Sequence, residues 1–159
     1  MHPSRTGHRS GHDIPATAPA CACGRLRRAT RSLTQLYDDT MAPSGLRITQ
    51  FSLLRTLTRE GPLAISELAA QQLLDRTALS RNLDPLIERG FVATAQGRDA
   101  RTRVVSVTRT GAAALRKATV YWTQAQQEVA KRLGADKLDT LIGLLGELES
   151  LHPSKQPAS

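Results

Sequence analysis

Residues 75–108 read DRTALSRNLDPLIERGFVATAQGRDARTRVVSVT, and few folds accommodate that order of elements. Leu79, Leu83, Leu86 and Ile87 recur at helical spacing and make one apolar face. Arg76, Thr77, Ser80 and Arg81 fall on the other face. Asp75 can cap the helix by accepting a backbone N–H, and Gly90 can end it in a left-handed turn. Pro85 forfeits a backbone hydrogen bond at a cost of about 3 kcal/mol, so a bend is expected there, beyond residues 76–82. Two β-prone runs follow, 91–95 and 104–108, around a loop that carries Arg98, Arg101 and Arg103. A cationic helix face followed by a hairpin with a cationic tip reads as a winged helix-turn-helix. Its helix enters a major groove, and its loop reaches phosphates or the neighbouring minor groove. The competing reading is a surface helix with a solvated loop. A lone arginine would not separate the two, but the ordered combination favours DNA.

The whole chain narrows the partner class. Its 159 residues suit one domain with a sizeable core. A formal net charge of +8 favours a polyanion, nucleic acid before membrane surface. Aromatic residues are only 3%, too few for the stacking platforms of single-strand or RNA binders. No apolar run approaches the roughly 18 residues a membrane span needs, and no secretory signal is legible. Two cysteines do not make a disulfide scaffold, so reduced thiols and a cytoplasmic location are expected.

In chain order, residues 1–20 lack periodicity and read as a disordered basic arm. A first helix spans about 23–42, with Leu26, Leu33, Leu36, Tyr37 and Met41 as its apolar stripe. It supplies an N-terminal dimerisation segment, 21–48. The DNA-binding core covers 49–108. There Thr49 is expected to cap a helix over 50–59, and residues 63–65 form an extended piece able to pair with the wing. A third helix spans 66–73, and the brief turn 74–75 leads into the recognition helix. Thr108 is a plausible cap for a long helix to about 133. A last helix, 136–151, repeats Leu138, Leu141, Ile142, Leu145, Leu148 and Leu151. These stripes could cover their own domain, but flanking a small core they more naturally supply C-terminal dimerisation helices, 109–151. Residues 152–159 read as a disordered tail. The fold class expected is mainly α with a small β-hairpin wing, a winged helix-turn-helix whose terminal helices form a dimerisation domain.

Several motifs resemble the MarR family of bacterial transcriptional regulators over about residues 23–150. They are Gly45-Leu46-x-x-x-Gln50-Phe51, Glu67-Leu68-Ala69, Asp75-Arg76-Thr77-x-x-Ser80-Arg81, Gly90-Phe91-Val92, and Asp99-x-Arg101 followed by Val107-Thr108-x-x-Gly111. The resemblance implies an intertwined homodimer that binds a pseudo-palindromic operator. It also implies repression relieved by a small ligand or by cysteine oxidation. Cys21-x-Cys23 resembles a proteobacterial subgroup. Ala64 departs from the polar helix cap frequent in relatives and is expected to fray the third helix slightly. Within this reading Arg101 is the wing-tip residue for the minor groove. Asp99, which phosphate would repel, orients Arg101 by a charge-assisted bond. Arg98 and Arg103 meet phosphate, while Arg76, Thr77, Ser80, Arg81 and Asn82 share base and phosphate contacts.

No phosphate-binding glycine loop and no set of His, carboxylate and nucleophile lies in the folded region, so an enzyme is not expected. No cofactor is expected either. Cys21 and Cys23 stand at a helix start with Arg25, Arg27 and Arg28 behind them, conditions that favour a reactive thiolate. A disulfide between residues two apart would be strained, so a bond to a partner subunit or capture of a soft metalloid is easier. Two ordinary residues at a helix start explain them equally well. The rival function is therefore a thiol-based redox or soft-metal(loid) sensor with an incidental basic surface. Leu36, Tyr37, Phe51 and Trp122 could line an effector pocket or simply pack the core. The partners expected are double-stranded DNA, a second copy of the chain and an unknown small-molecule or oxidant effector, with no membrane.

Overall fold

The computed structural model describes residues 21–99 and 101–152, so the basic arm and all of the tail beyond His152 lie outside the described residues. Among the described residues, six helices and three strands follow in the order α1 (Ala22–Met41), α2 (Ile48–Glu60), β1 (Leu63–Ala64), α3 (Ile65–Gln71), α4 (Arg76–Glu88), β2 (Val92–Gln96), β3 (Arg103–Val107), α5 (Arg109–Leu133) and α6 (Ala135–Glu149). A short 3-10 turn, Ala42–Ser44, links α1 to α2. The chain is mainly helical, with a three-stranded antiparallel sheet in the order β1-β3-β2. Val92 pairs with Val107 and Gln96 with Arg103, while Leu63 pairs with Val105. The expected hairpin therefore carries a third strand, as residues 63–64 allowed.

The winged lobe closes around its own leucines. Leu53, Leu54 and Leu57 of α2 meet Leu68 of α3, Leu79, Leu83 and Leu86 of α4, and Val92 and Val105 of the sheet, all buried. Met41, Leu46, Leu115 and Ala118 extend this cluster towards α1 and α5. Helices α1 to α5 each contribute buried residues from the apolar face that their spacing predicts.

Helix starts differ from expectation in instructive ways. Thr49 does not cap α2 but lies inside it. The Asp38 carboxylate of α1 accepts the Ile48 N–H at 2.8 Å, and the Gln50 side chain accepts the Arg47 N–H at 3.1 Å. A carboxylate ten residues away is invisible to local capping rules. Ala64 indeed offers no acceptor to α3, but the Glu67 carboxylate reaches back to the Ala64 N–H at 2.9 Å, half of a capping box. Pro85 does not interrupt α4. Its missing donor would have served the carbonyl of Arg81, a residue on the exposed face of the helix.

The joint between wing and α5 explains the Val-Thr-x-x-Gly motif. Thr108 accepts the Gly111 N–H at 3.0 Å, donates its hydroxyl to the Gly90 carbonyl at 2.6 Å, and gives its own N–H to the Phe91 carbonyl at 3.0 Å. Gly111 then packs directly on that carbonyl, where a Cβ would stand 2.8 Å from the carbonyl carbon. Only glycine fits there. By contrast α6 buries no residue, and Ile142, Leu144, Leu148 and Leu151 are all exposed. No helix among the described residues is long and apolar enough to cross a membrane.

Candidate nucleic-acid interface

The site is built from α3, the turn after it, α4 and the β2–β3 hairpin. The Asp75 carboxylate caps α4 by accepting the Ala78 N–H at 2.7 Å, as its position predicts. That fixes the first turn, from which Arg76, Thr77 and Arg81 point into solvent while Ser80 is half-buried. Asn82 is turned inward, and its amide donates to the Ala78 carbonyl at 2.9 Å. One of its two N–H groups is therefore committed to the helix itself.

At the wing tip the Gly97 N–H donates to the Thr102 carbonyl at 2.8 Å and the Thr102 N–H to the Asp99 carbonyl at 2.9 Å. A Cβ on Gly97 would stand 3.1 Å from the Thr102 Cβ, so any larger residue there would press against Thr102. The Asp99 carboxylate accepts the backbone N–H of Arg101 at 3.1 Å. The Asp99 carboxylate therefore grips the Arg101 backbone and not its guanidinium, which stands on an exposed residue. Arg98 and Arg101 are exposed. Arg103 lies across the hairpin and donates to the Thr94 hydroxyl at 2.9 Å.

Helix and wing meet in one cleft. Ser66, Arg76, Ser80, Arg101, Thr102 and Arg103 line a groove of about 330 Å³. Among the described residues the ion pairs are Arg59–Glu60 and Arg132–Glu128, both away from this groove. Its arginines are therefore not neutralised by carboxylates. Cationic groups on one face act together on an array of phosphates, and their counterion release makes binding salt-dependent.

The other candidates lie elsewhere. Phe51 is buried and stacks on Trp122 with centroids 5.6 Å apart, and the Arg55 guanidinium sits 4.8 Å from the Trp122 ring centre. The Tyr37 hydroxyl donates to the Gln126 side chain. Burial holds the Tyr37 phenol above its usual value. Leu36 is half-buried beside it. These contacts tie α1 and α2 to α5. Cys21 sits at the N-cap of α1 without a side-chain capping bond, and both Cys21 and Cys23 are exposed free thiols. Cys23 opens onto a groove of about 510 Å³ with Leu26, Arg27, Thr30, Arg31 and Leu148. Among the described residues no group of three or more His, Cys, Asp or Glu is placed to hold a metal ion.

Sequence reasoning missed Arg89. Its guanidinium donates to the Gly45 carbonyl at 2.7 Å and lies 4.4 Å from the Phe91 ring centre. It thereby joins two motifs, Gly45-Leu46 and Gly90-Phe91, that were legible separately. No periodicity links residues 44 positions apart.

Comparison with known proteins agrees with this geometry. Residues 44–102 match the model of the MarR family. The M. tuberculosis transcriptional regulator MosR, in a crystal structure with DNA, is 40% identical and superposes with a TM-score of 0.71 over 82% of this chain and 96% of that one. A mutant MarR from E. coli complexed with operator DNA is 28% identical, with a TM-score of 0.71 over 79% of this chain and 91% of that one. An uncharacterised helix-turn-helix transcriptional regulator of Bacillus cereus is 32% identical over 94 residues, 59% of this chain. The matched region spans 63% of that relative's length.

Proposed function

The chain belongs to the MarR family of transcriptional regulators, and from that premise we propose that it represses transcription by binding a pseudo-palindromic DNA operator as a homodimer. The observation that carries the reading is the cleft that sets Arg76 and Ser80 of α4 beside Arg101 and Arg103 of the wing, none of them ion-paired. In this reading α4 lies in the major groove, where Arg76, Thr77, Ser80, Arg81 and the remaining capacity of Asn82 share base and phosphate contacts. Arg101 enters the minor groove, Arg98 and Arg103 meet phosphate, and Asp99 shapes the wing tip without touching DNA. The DNA-bound state of MosR and of E. coli MarR supports the assignment. The family and the compared relatives are regulators, not enzymes, and a cytoplasmic location follows from such a role.

The dimer reading is supported by the exposed leucines of α6 and by exposed Leu33 of α1 and Leu133 of α5. In it residues 21–48 and 109–151 form the dimerisation domain around the core, 49–108. A C2 pair would set two recognition helices about 34 Å apart, facing successive major grooves. Release comes from a small ligand near Leu36, Tyr37, Phe51 and Trp122, or from modification of Cys21 and Cys23. The two exposed thiols favour keeping the second route.

Footprinting on the DNA upstream of the protein's own gene tests the core of the proposal. A two-fold symmetric protected site with a steep salt slope is expected. An asymmetric footprint, or binding without preference, would count against it. Sedimentation at micromolar concentration should give a dimer mass. Operator affinity of the wild type and of a Cys21→Ser/Cys23→Ser variant, each with and without peroxide or arsenite, separates the two release routes.

A further inference from the structure

Two turns of the winged lobe share one hydrogen-bond pattern and differ at its critical residue. After α4, the Gly90 N–H donates to the Ile87 carbonyl at 2.9 Å and the Phe91 N–H to the Leu86 carbonyl at 2.8 Å, with Gly90 at φ 66°. After α3, the Leu73 N–H donates to the Ala70 carbonyl at 3.2 Å and the Leu74 N–H to the Ala69 carbonyl at 2.9 Å, with Leu73 at φ 51°. Both are Schellman turns. Glycine enters the left-handed region without steric cost, whereas the Cβ of a leucine crowds the backbone there. Among the described residues Leu73 is the only non-glycine at positive φ. Its turn is therefore disfavoured locally and needs support from outside.

The preceding residue supplies that support. The Gln72 amide donates through Nε2 to the Thr56 hydroxyl at 2.9 Å and accepts through Oε1 from the Ser52 hydroxyl at 3.1 Å. Ser52 and Thr56 stand one turn apart on α2, so a single planar amide spans two rungs of that helix. Thr56 is itself buried. A hydrogen bond in such a place is strong when made and costly when left unmade.

We propose that Gln72 is a positioning residue for DNA recognition: by bridging Ser52 and Thr56 it holds the left-handed turn at Leu73 that aims the start of α4. Asp75, Arg76 and Thr77 begin two residues beyond that turn. Leu79, Leu83 and Leu86 pin α4 in the core, so a shift at Leu73 acts on the first turn ahead of Leu79, which carries Arg76 and Thr77. This inference rests on the DNA-binding reading above.

The test uses the full chain. Gln72→Met replaces the amide with an apolar side chain of similar length. Affinity for the footprinted operator and for a scrambled duplex is measured beside thermal unfolding. Operator affinity should fall about tenfold, the size of one lost buried hydrogen-bond pair. Affinity for the scrambled duplex should fall much less, because phosphate attraction does not depend on aim. Gln72→Glu, whose carboxylate can accept from both hydroxyls, should recover most of the operator affinity. If Gln72→Met does not fold, Ser52→Ala removes one of the two bonds and should lower the same ratio less. Wild-type operator binding by a folded Gln72→Met, or an equal loss on both duplexes, overturns the proposal. A wild-type chain that prefers no site has no ratio to move; that result removes the DNA reading itself, and this inference with it.

Discussion

The winged lobe and the last helix are written in the same residue and behave oppositely. Leu53, Leu54 and Leu57 of α2, and Leu79, Leu83 and Leu86 of α4, repeat at helical spacing and are buried. Leu144, Leu148 and Leu151 repeat just as regularly on or beyond α6 and stay 52%, 43% and 67% exposed. The difference is not in the stripe but in what faces it. In the lobe, α2, α3, α4 and the sheet present stripes to one another, and Gly111 lets α5 close the joint. Among the described residues α6 rests half-buried Leu138, Leu141 and Leu145 beside α5, while Ile142, Leu144 and Leu148 stay exposed, Leu148 at the edge of the open groove with Leu26. A periodic apolar face therefore states that burial is wanted, not where it is found.

The sharpest way to break this contrast is Gly111→Ala. The added Cβ would overlap the Phe91 carbonyl, a backbone group with nowhere to move. The loss should exceed the about 1–3 kcal/mol usual for overpacking. Chemical denaturation should find the lobe unfolded or far less stable, and a midpoint near wild type would refute the joint.

Next come two leucines compared directly. Leu79→Ala, in the lobe, should cost about 3 kcal/mol through the cavity it opens. Leu148→Ser, on α6, should leave the lobe folded but shift the sedimenting mass from dimer towards monomer. It should also make the unfolding midpoint depend less on protein concentration. If Leu148→Ser destabilises the chain as much as Leu79→Ala at every concentration, α6 is packed within its own protomer and the contrast fails.

Surface residues of the lobe form the third comparison. Arg101→Ala should weaken operator binding by about 1–3 kcal/mol if the guanidinium reads a base edge, with no change in the unfolding midpoint. Arg103→Ala should weaken binding evenly across sequences and lower the salt slope by about 1. Unchanged affinity in both would remove the wing from the interface.

The smallest effect falls at the seam between the regions. Tyr37→Phe removes the bond to Gln126 and should cost about 1 kcal/mol near neutral pH. Burial raises the phenol above its ordinary 10.0. The Tyr37 contribution is therefore complete below the unfolded value and lost as pH rises through the folded one. Wild type and Tyr37→Phe should converge in stability at alkaline pH. A constant difference up to that range would mean that the Tyr37 bond does not depend on a neutral phenol.

Much was legible in the residues alone, for local reasons. The stripes at Leu79, Leu83 and Leu86 gave the recognition helix. Asp75 and Thr108 announced caps that form as expected, and Gly90 ended the recognition helix at φ 66°. The β-prone runs around Arg98, Arg101 and Arg103 gave the hairpin to within a residue at each strand. Each of these depends on neighbours a few positions away, and so leaves a mark at short range. The tertiary structure alone decided what depends on distant partners. The carboxylate that caps α2 comes from Asp38, not Thr49. Arg89 ties Gly45 to Phe91. Asn82 turns inward and spends a donor on its own helix. Gln72 bridges Ser52 and Thr56 to support a leucine in a glycine's conformation. Such contacts join groups that only packing brings together, so neither spacing nor residue type could foretell which side chains would meet.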